Sequence, residues 1–560
     1  MRGSKFCVAC WIAIVAAVGL VVARSLAAEE RQTVVKNVVL LIVDGCSSEQ
    51  YTLARWFKGS PLAIDEIRCG AVKTYIADSV IADSAPAATA LATGRFSNDK
   101  LIGVAPSVKT VTVPPPSADE QLRPLATLLE AARLEGKATG IVATSRVTHA
   151  TPAGFMAHVT SRKMEEEIME QAVHQGVNVV LGGGRDFALP LAAGGVRRDG
   201  EDLIAALRNR GYQIATDREQ LQKTVGEKVF GLFALGPMTP EIDRPRRAPS
   251  EPTLAEMTRK AIELLSADED GFFLMVEGSQ VDWACHANDP AHLLSDLLAY
   301  DDAVAVALEF ARRDGQTLVI ALSDHNTGGM SIGNMRTSKT YAQTSIADLL
   351  EPLRKMRCSA VELWRQLSLG PDGKAADPKA ISLDAVRRVV KEGWGMEITE
   401  DDARRILAVA LRDKDDPQNA FGEVLCPRYT VLGWTTHGHA GGDVPLHAFG
   451  PDRPVGTFDQ PELGRRMARA MGLDLDATTQ RLFVDAASVF SAQQVEIDRT
   501  EPTNPVVRIR HQNVTAELPI NKNLLRIGGE ESALEGVVVH IAETGKTYLP
   551  RQAIRRIKGE

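Results

Sequence analysis

Five short apolar runs, separated by amphipathic stretches such as 254–265, constrain the fold of this 560-residue chain more than any other feature. They have the length and β-branched content of buried strands and lie at 37–43, 138–142, 177–181, 272–276 and 317–322. Strands that alternate with helices form parallel sheets. We therefore predict an α/β fold with a large, mostly parallel central sheet and helices on both faces.

Two regions depart from this alternation. Residues of about 335–426 are helical in pattern and rich in charge, which predicts an insertion into the main domain at 28–485. A solvated subdomain is favoured there over a substrate-binding role. Short strand-like runs at 506–509, 515–518, 524–527 and 537–541 predict a small β-rich module at 486–560, and 502–505 resembles a linker.

The N-terminus has the three parts of a secretory signal. Arg2 and Lys5 precede an apolar run at 6–23, and small residues follow at 25–28. We predict a signal peptide at 1–27, cleavage after Ala27 and export to the periplasm or the medium; an uncleaved membrane anchor is the alternative. No later stretch reads as a membrane span. The exported chain would keep five of seven cysteines, an odd number without the spacing of a disulfide framework.

The charge of the chain limits its partners. A net charge of -8 and a pI near 5.9 give no basic surface for nucleic acid, which we exclude as a specific partner. Any anion site must be built locally from metal ions, arginine or backbone N–H groups.

Polar residues follow four of the predicted strands. Asp44 follows the first strand, residues 144–151 the second, Glu277 the fourth, and Asp324 with His325 the fifth. The carboxyl ends of parallel strands form the ligand crevice of an open α/β sheet, so we expect these side chains to converge there.

Further residues of metal-ligand type lie between and after these strands. Asp282 and His286 are four residues apart, which places both on one face of a helical turn, although such a pair alone is more often a surface hydrogen bond. His439 lies in a glycine-rich loop. Ser84 precedes a run of small residues and could begin a helix, where backbone N–H groups favour an anion; a plain N-cap is the simpler interpretation.

Together with landmarks at 83–85, 181–185, 231–234 and 254–258, these clusters resemble the alkaline phosphatases over about 37–451. The resemblance implies hydrolysis of small phosphate monoesters through a phosphoseryl intermediate on Ser84, with Arg162 as the ligand of two phosphate oxygens. It implies two zinc ions, one on Asp282, His286 and His439 and one on Asp44, Asp324 and His325. It also implies a magnesium site on Asp44, Thr151 and Glu277. Family members are commonly dimers, so a homodimer stays open.

Two positions depart from the best-known bacterial pattern. His149 stands in place of an aspartate, which leaves zinc or cobalt open at the third site, and Trp283 stands in place of a lysine, which predicts weaker phosphate binding and easier product release. We assign His437 to a supporting role beside the ligands or to solvent, and Cys46 and Cys285 to the core.

Two rival functions fit the sequence less well. A sulfatase or phosphodiesterase of the same superfamily is disfavoured, because Ala88 stands where the sulfatase pattern needs arginine, and Thr151 with Glu277 adds a third metal set. An inactive binding protein of the cell envelope is disfavoured because the nucleophile and every ligand type are present.

Overall fold

The computed structural model describes residues 35–369 and 377–560. The predicted signal peptide therefore lies outside the described residues. Ten strands form the main sheet in the described part of the chain: β1 Asn37–Val43, β2 Arg68–Lys73, β3 Ala138–Arg146, β4 Val179–Gly183, β5 Gln213–Ala215, β6 Val229–Leu232, β7 Phe272–Gly278, β8 Thr317–Leu322, β9 Val444–Phe449 and β10 Gly456–Asp459.

The strand order across this sheet is β10-β2-β9-β8-β1-β7-β3-β4-β6-β5. Only β9 runs antiparallel to its neighbours, β8 and β2, while the other pairs are parallel. The predicted fold class is confirmed. All five predicted strands are present, but Glu277 lies within β7 and not after it, because the strand continues to Gly278.

Helices cover both faces of the sheet. Alternate residues of β1 belong to two different cores, with Val39 and Leu41 on one side and Val38 and Leu40 on the other. The α-helices of the described residues are α1 Ser48–Lys58, α2 Ser84–Thr93, α3 Leu128–Leu134, α4 Ala150–Met156, α5 Glu165–His174, α6 Leu203–Asn209, α7 Arg218–Lys223, α8 Arg244–Arg247, α9 Leu254–Leu265, α10 Gln280–His286, α11 Pro290–Asp314, α12 Ile346–Arg354, α13 Ala360–Ser368, α14 Leu383–Trp394, α15 Glu400–Arg412, α16 Asn419–Tyr429, α17 Gln460–Ala470, α18 Leu475–Leu482 and α19 Arg551–Lys558. No helix in these two ranges combines the length and apolarity needed to cross a bilayer.

The region predicted as an insertion contains helices α12 to α16, and apolar residues of α12 to α14 join the core on one face of the main sheet. The C-terminal region forms an antiparallel sheet in chain order, with strands β11 Val495–Asp498, β12 Val506–His511, β13 Val514–Pro519, β14 Leu524–Ile527 and β15 Glu530–Ala533. Residues 502–505 connect the paired strands β11 and β12, so the linker interpretation was wrong: they form a hairpin loop. A second small sheet joins Val484–Asp485, Lys546–Leu549 and Val539–Ile541.

Candidate active site

The register of three central strands brings three carboxylates to one level of the sheet edge. Ile42 of β1 pairs with Glu277 of β7 on one side and with Leu322 of β8 on the other. Asp44 and Asp324 each come two residues later, so both stand just beyond the strand ends beside Glu277. All three side chains are fully buried. The predicted convergence at the carboxyl edge is therefore what this fold produces.

One ligand set consists of Asp44, Asp324 and His325, whose ligand atoms lie within 4.8 Å of one another. His325 Nε2 is 3.4 Å from both Asp44 Oδ1 and Asp324 Oδ2. Burial, together with the neighbouring His439, lowers the pKa of His325 to about 3. The imidazole is therefore neutral, which is the form that binds metals.

A second set surrounds Asp282 at the start of α10. His286 Nε2 lies 3.3 Å from Asp282 Oδ2, and His439 Nε2 lies 3.8 Å from Asp282 Oδ1. The rings of His325 and His439 stack at 3.9 Å, so this set and the first one share a wall. Burial by itself would raise the pKa of Asp282, but His286, His439 and His325 lower it well below its ordinary value. Burial also opposes protonation of His286, yet Asp282 raises the pKa of His286 to about 9.

Gly45 permits the close approach of these two sets. It has a φ of 72°, and a Cβ there would lie 2.7 Å from Asp282 Oδ1 and 2.8 Å from Thr327 Oγ1. Only glycine adopts this conformation without strain and also leaves that space free. Gly45 is therefore required for the geometry of the site.

A third set is formed by Asp44, Glu277 and His149, which offer ligand atoms within 4.8 Å of one another. Thr151, the second residue of α4, is fully buried, and its hydroxyl lies near enough to Glu277 to influence the pKa of that carboxyl. Ser145 Oγ donates to Glu277 Oε2 at 3.2 Å. Burial raises the pKa of Glu277 to about 7 despite these hydroxyls.

The buried polar atoms of this edge fit bound cations. Within the described residues, five of them have no hydrogen-bond partner: Asp44 Oδ1, Glu277 Oε1, Asp324 Oδ2, Thr151 Oγ1 and His149 Nδ1. Burial and the neighbouring Asp324, Asp282 and Glu277 raise the pKa of Asp44 well above its ordinary value. Unpaired buried carboxylates are costly, whereas metal ions would satisfy all of these atoms.

Ser84 is the first residue of α2 and is fully buried. Its Oγ lies 3.0 Å from His325 Nε2 and 3.5 Å from Asp44 Oδ2. Asp83 caps the helix by accepting a hydrogen bond from the Ala85 backbone N–H at 3.4 Å. Helix α2 packs tightly on α4, where a Cβ on Gly154 would lie 2.8 Å from Ala88 Cβ, which explains the small residues after Ser84.

Arg162 reaches the same place from a loop. Its Nη1 donates to Asp83 Oδ1 at 2.6 Å, and its Nη2 lies 3.0 Å from His149 Nε2. The side chain is 22% exposed, so the guanidinium is fixed by protein groups yet open to a ligand. Burial disfavours the charged carboxylate of Asp83, but Arg162 lowers the pKa of Asp83 below its ordinary value.

The remaining residues singled out in the sequence surround these sets. His437 accepts a hydrogen bond from His286 Nδ1 on its backbone carbonyl, and its own Nδ1 lies 2.7 Å from the His286 carbonyl. The rings of His149 and Trp283 meet edge to face at 5.4 Å. Cys46 and Cys285 are buried free thiols, and burial raises the pKa of both.

A further acidic cluster, Glu170, Asp199 and Glu201, lies elsewhere. Buried Arg197 pairs with Glu170 and Asp199, and Lys522 Nζ lies 3.3 Å from Glu170 and 2.5 Å from Glu201. Two protein cations pair with these three carboxylates, so the cluster is an ion-pair network.

The comparisons with known proteins agree with this geometry. A family model described as alkaline phosphatase matches residues 35–473. The chain belongs to the alkaline phosphatase family. It is 33% identical to alkaline phosphatase 3 of Bacillus subtilis over 79% of this chain and 90% of that protein. It is 32% identical to the repressible alkaline phosphatase of Saccharomyces cerevisiae over 79% of this chain and 82% of that one.

Solved alkaline phosphatases share the fold. The Thermus thermophilus enzyme superposes with a TM-score of 0.68 at 29% identity and covers 78% of this chain and 92% of its own. A TAB5 alkaline phosphatase variant, with histidine replaced by aspartate and magnesium bound in its M3 site, gives a TM-score of 0.53 at 26% identity over 78% of this chain and 98% of its own. This alkaline phosphatase is thus a metal-dependent hydrolase of phosphate monoesters.

Three residues beside the site were not found from the sequence. Thr327 Oγ1 donates to Asp282 Oδ1 at 2.5 Å and lies 3.2 Å from His325 Nδ1, so it connects two ligand sets. Ser145 supports Glu277, and Asp83 holds Arg162. Asp before a helical run is an N-cap signal, which could have marked Asp83 as a cap but not as the partner of an arginine.

Proposed function

We propose that this alkaline phosphatase transfers the phosphoryl group of its substrate to Ser84 and then to water. The observation that carries the proposal is the position of Ser84 Oγ, 3.0 Å from His325 Nε2 and 3.5 Å from Asp44 Oδ2. Both residues belong to one ligand set, and Asp44 is common to two sets. A nucleophile at this junction is within reach of the positive charge that would activate it.

The donor sets favour different metals. Asp282, His286 and His439, and likewise Asp44, Asp324 and His325, combine imidazole with carboxylate and suit zinc. Asp44, Thr151 and Glu277 offer only oxygen and suit magnesium. His149 adds a nitrogen donor at this third site, which keeps zinc and cobalt open there. When bound, these ions supply Lewis-acid charge, which lowers the pKa of a hydroxyl and neutralises charge as the phosphoryl group moves.

The protein's own residues bind and orient the phosphoryl group. The Arg162 guanidinium, held by Asp83, donates two hydrogen bonds to non-bridging phosphate oxygens, a geometry that its planar fork matches. The N-terminus of α2 favours the same anion. Ser84 Oγ then attacks phosphorus in line as the bond to the alcohol oxygen breaks, and the alcohol leaves with the proton that the serine hydroxyl has given up.

The second step releases phosphate. A water molecule attacks the phosphorus of phosphoserine, the bond to Ser84 Oγ breaks, and the serine hydroxyl is restored by a proton from that water. Arg162 contacts the phosphoryl group in both steps, so it contributes to substrate binding and to retention of product.

Replacement of the nucleophile tests this proposal. We expect Ser84→Ala to reduce turnover of a chromogenic phosphomonoester by about 10,000-fold or more while the metal content stays unchanged. Ser117→Ala, at an exposed serine, is the matched control. Turnover that survives in Ser84→Ala, or that is insensitive to a chelator in the unmodified enzyme, would contradict the proposal.

We also propose export, which rests on the sequence of residues 1–27, and assembly as a homodimer, which rests on the habit of the family. Detection of the mature N-terminus and sedimentation of the purified enzyme would test these two points.

A further inference from the structure

The C-terminal module (residues 486–560) lies beyond the matched family region, which ends at 473. It nevertheless packs on the catalytic part through an apolar cluster. Module residues contribute Val537, Val539, Ile541 and Tyr548, and the catalytic part contributes Leu101, Val104, Leu122, Ala126, Leu482 and Phe483. The segment around Leu101 and Val104 is therefore in contact with the module.

The segment around Leu101 and Val104 is also hydrogen-bonded to the arginine loop, which we define as residues 157–162. Ile102 and Val159 exchange two backbone hydrogen bonds of 3.0 Å, and the Arg162 backbone N–H donates to the Lys100 carbonyl at 2.8 Å. The position of the Arg162 backbone thus depends on residues 100–102, which include Leu101 of the apolar cluster with the module.

The module also contacts the arginine loop directly. Thr160 Oγ1 donates to Glu543 Oε1 at 2.6 Å. Asn521 Oδ1 accepts a hydrogen bond from Gln171 Nε2 at 2.9 Å, and Gln171 in turn bonds both the backbone N–H and the carbonyl of His158. Two residues of the loop are therefore linked to the module, one of them only two positions before Arg162.

The inner end of the loop is fixed more firmly than its outer end. His158 is fully buried, with Nε2 3.0 Å from Glu130 Oε1 and Nδ1 2.8 Å from the Gly103 carbonyl. Thr160, by contrast, is partly exposed and bonds to an exposed carboxylate. Thr160 lies between the backbone bonds of Val159 and Arg162, and Glu543 fixes the side chain of this exposed part of the loop.

We propose that the C-terminal module is a positioning element for the phosphate-binding arginine, and that Glu543 acts on Arg162 through Thr160. The inference rests on the proposed role of Arg162. A better-placed guanidinium strengthens phosphate binding in the ground state and the transition state alike, so its loss raises KM more than it lowers kcat.

The test compares variants of the full-length, metal-loaded enzyme. We expect Glu543→Ala to raise KM for a phosphomonoester and the inhibition constant for inorganic phosphate by about fivefold, the size of one ordinary hydrogen bond, with kcat within about twofold of the parent. Glu543→Gln keeps the acceptor oxygen and should restore both constants. Glu531→Ala is the matched control, because it removes an exposed glutamate of the same module that pairs with Arg526.

The hydrogen bond between Asn521 and Gln171 can also be removed without strain on the backbone. Asn521 has a φ of 67°, a conformation that glycine adopts readily, so Asn521→Gly removes the amide and preserves the turn. We expect this variant, combined with Glu543→Ala, to raise the phosphate inhibition constant further than Glu543→Ala alone.

The double variant Arg162→Ala/Glu543→Ala separates the two proposals. If the module acts through Arg162, its KM and phosphate inhibition constant equal those of Arg162→Ala. If Glu543→Ala raised KM and the phosphate inhibition constant equally in the presence and absence of Arg162, or left both unchanged, the positioning role alone would be overturned. An Arg162→Ala enzyme with unchanged phosphate inhibition would reject the role of the arginine, and the role of the module with it.

Discussion

The two sides of the active site, around Asp282 and around Asp44, differ in how buried charge is neutralised. Around Asp282, three imidazoles face one carboxylate, and they lower the pKa of that carboxyl well below its ordinary value even though burial opposes this. Around Asp44, carboxylates face one another, and the pKa values of Asp44, Asp324 and Glu277 are all raised, chiefly by burial. Protein groups partly neutralise the first side, whereas the second needs a cation from outside.

The difference predicts that the two sides depend unequally on their metals. Loss of metal from the Asp282 side leaves an ion pair between Asp282 and His286, with atoms 3.3 Å apart. Loss of metal from the Asp44 side leaves the unpaired oxygens of Asp44, Asp324 and Glu277 in the interior. The carboxylate side should therefore dominate both the metal dependence of stability and its response to pH.

Among the variants that test this difference between the two sides, Asp44→Asn has the largest expected effect. Because Asp44 belongs to two ligand sets, its loss should reduce kcat/KM on the order of 1,000-fold and remove metal from both sets. Asp282→Asn should remove metal from one set only and cost less activity. Elemental analysis of the two purified variants, beside steady-state kinetics, measures the difference. Equal metal loss from both variants would contradict the unequal metal dependence of the two sides.

The metal-free enzyme should lose stability as the pH rises. The folded pKa is about 7 for Glu277, against an ordinary 4.5, and about 6 for Asp324, against 3.8. Acids whose pKa is raised by folding stabilise the protein below the unfolded pKa, and this stability is lost as the pH rises through the folded pKa. We therefore expect the free energy of unfolding of the chelator-treated enzyme to fall between about pH 4 and pH 7, with Glu277 contributing at most about 3 kcal/mol.

Glu277→Gln isolates this contribution. It keeps the size of the side chain but cannot ionise, so the fall in urea midpoint over this pH range should be smaller in the metal-free variant. Asp282→Asn should not flatten it, because a lowered pKa contributes stability that is lost as the pH falls. Saturating metal should abolish this fall in the urea midpoint of the parent enzyme. If the urea midpoint of the chelator-treated parent enzyme did not fall with rising pH, this would contradict the inferred burial of unpaired carboxylates around Asp44.

The smallest expected effect concerns the third site. We expect His149→Asp to shift its preference from zinc or cobalt towards magnesium, because an oxygen replaces a nitrogen donor, and to change kcat by about 10-fold or less. Competition between magnesium and zinc, followed by activity recovery after chelation, measures the preference. Trp283→Phe, which keeps an aromatic ring beside His149, is the control. An unaltered metal preference would show that His149 does not contribute a ligand.

The central strands could be predicted from the sequence because they are buried on both faces. β1 and β8 have the predicted bounds, since a continuous apolar run leaves no other interpretation. Three of the strands that were missed are less apolar: β2 begins with the exposed Arg68, β10 with the exposed Gly456, and β9 contains Pro445 and His447. Their pairing is decided by distant partners, which local patterns do not reveal.

The site divides in the same way. Asp44 and Asp324 follow strands, so their convergence follows from the topology of a parallel sheet. Arg162 lies in a loop, and only the resemblance to a family identified it. His439 lies in a two-residue strand paired with Thr327, and its residue type alone did not assign it to a ligand set. The bond between Thr160 and Glu543 joins residues 383 positions apart, and neither belongs to a motif. Contacts of that kind depend on how the C-terminal module packs, which a single sequence does not determine.

The antiparallel strand β9 has a consequence for biosynthesis. Because β9 runs against β8, its first residue, Val444, lies at the edge where the parallel strands end, and the preceding loop delivers His439 to that edge. The last metal ligand is therefore also among the last parts of the catalytic fold to be synthesised. A chain that ends before residue 439 lacks one ligand of the Asp282 set, so this set is complete only after the segment before β9 has been synthesised.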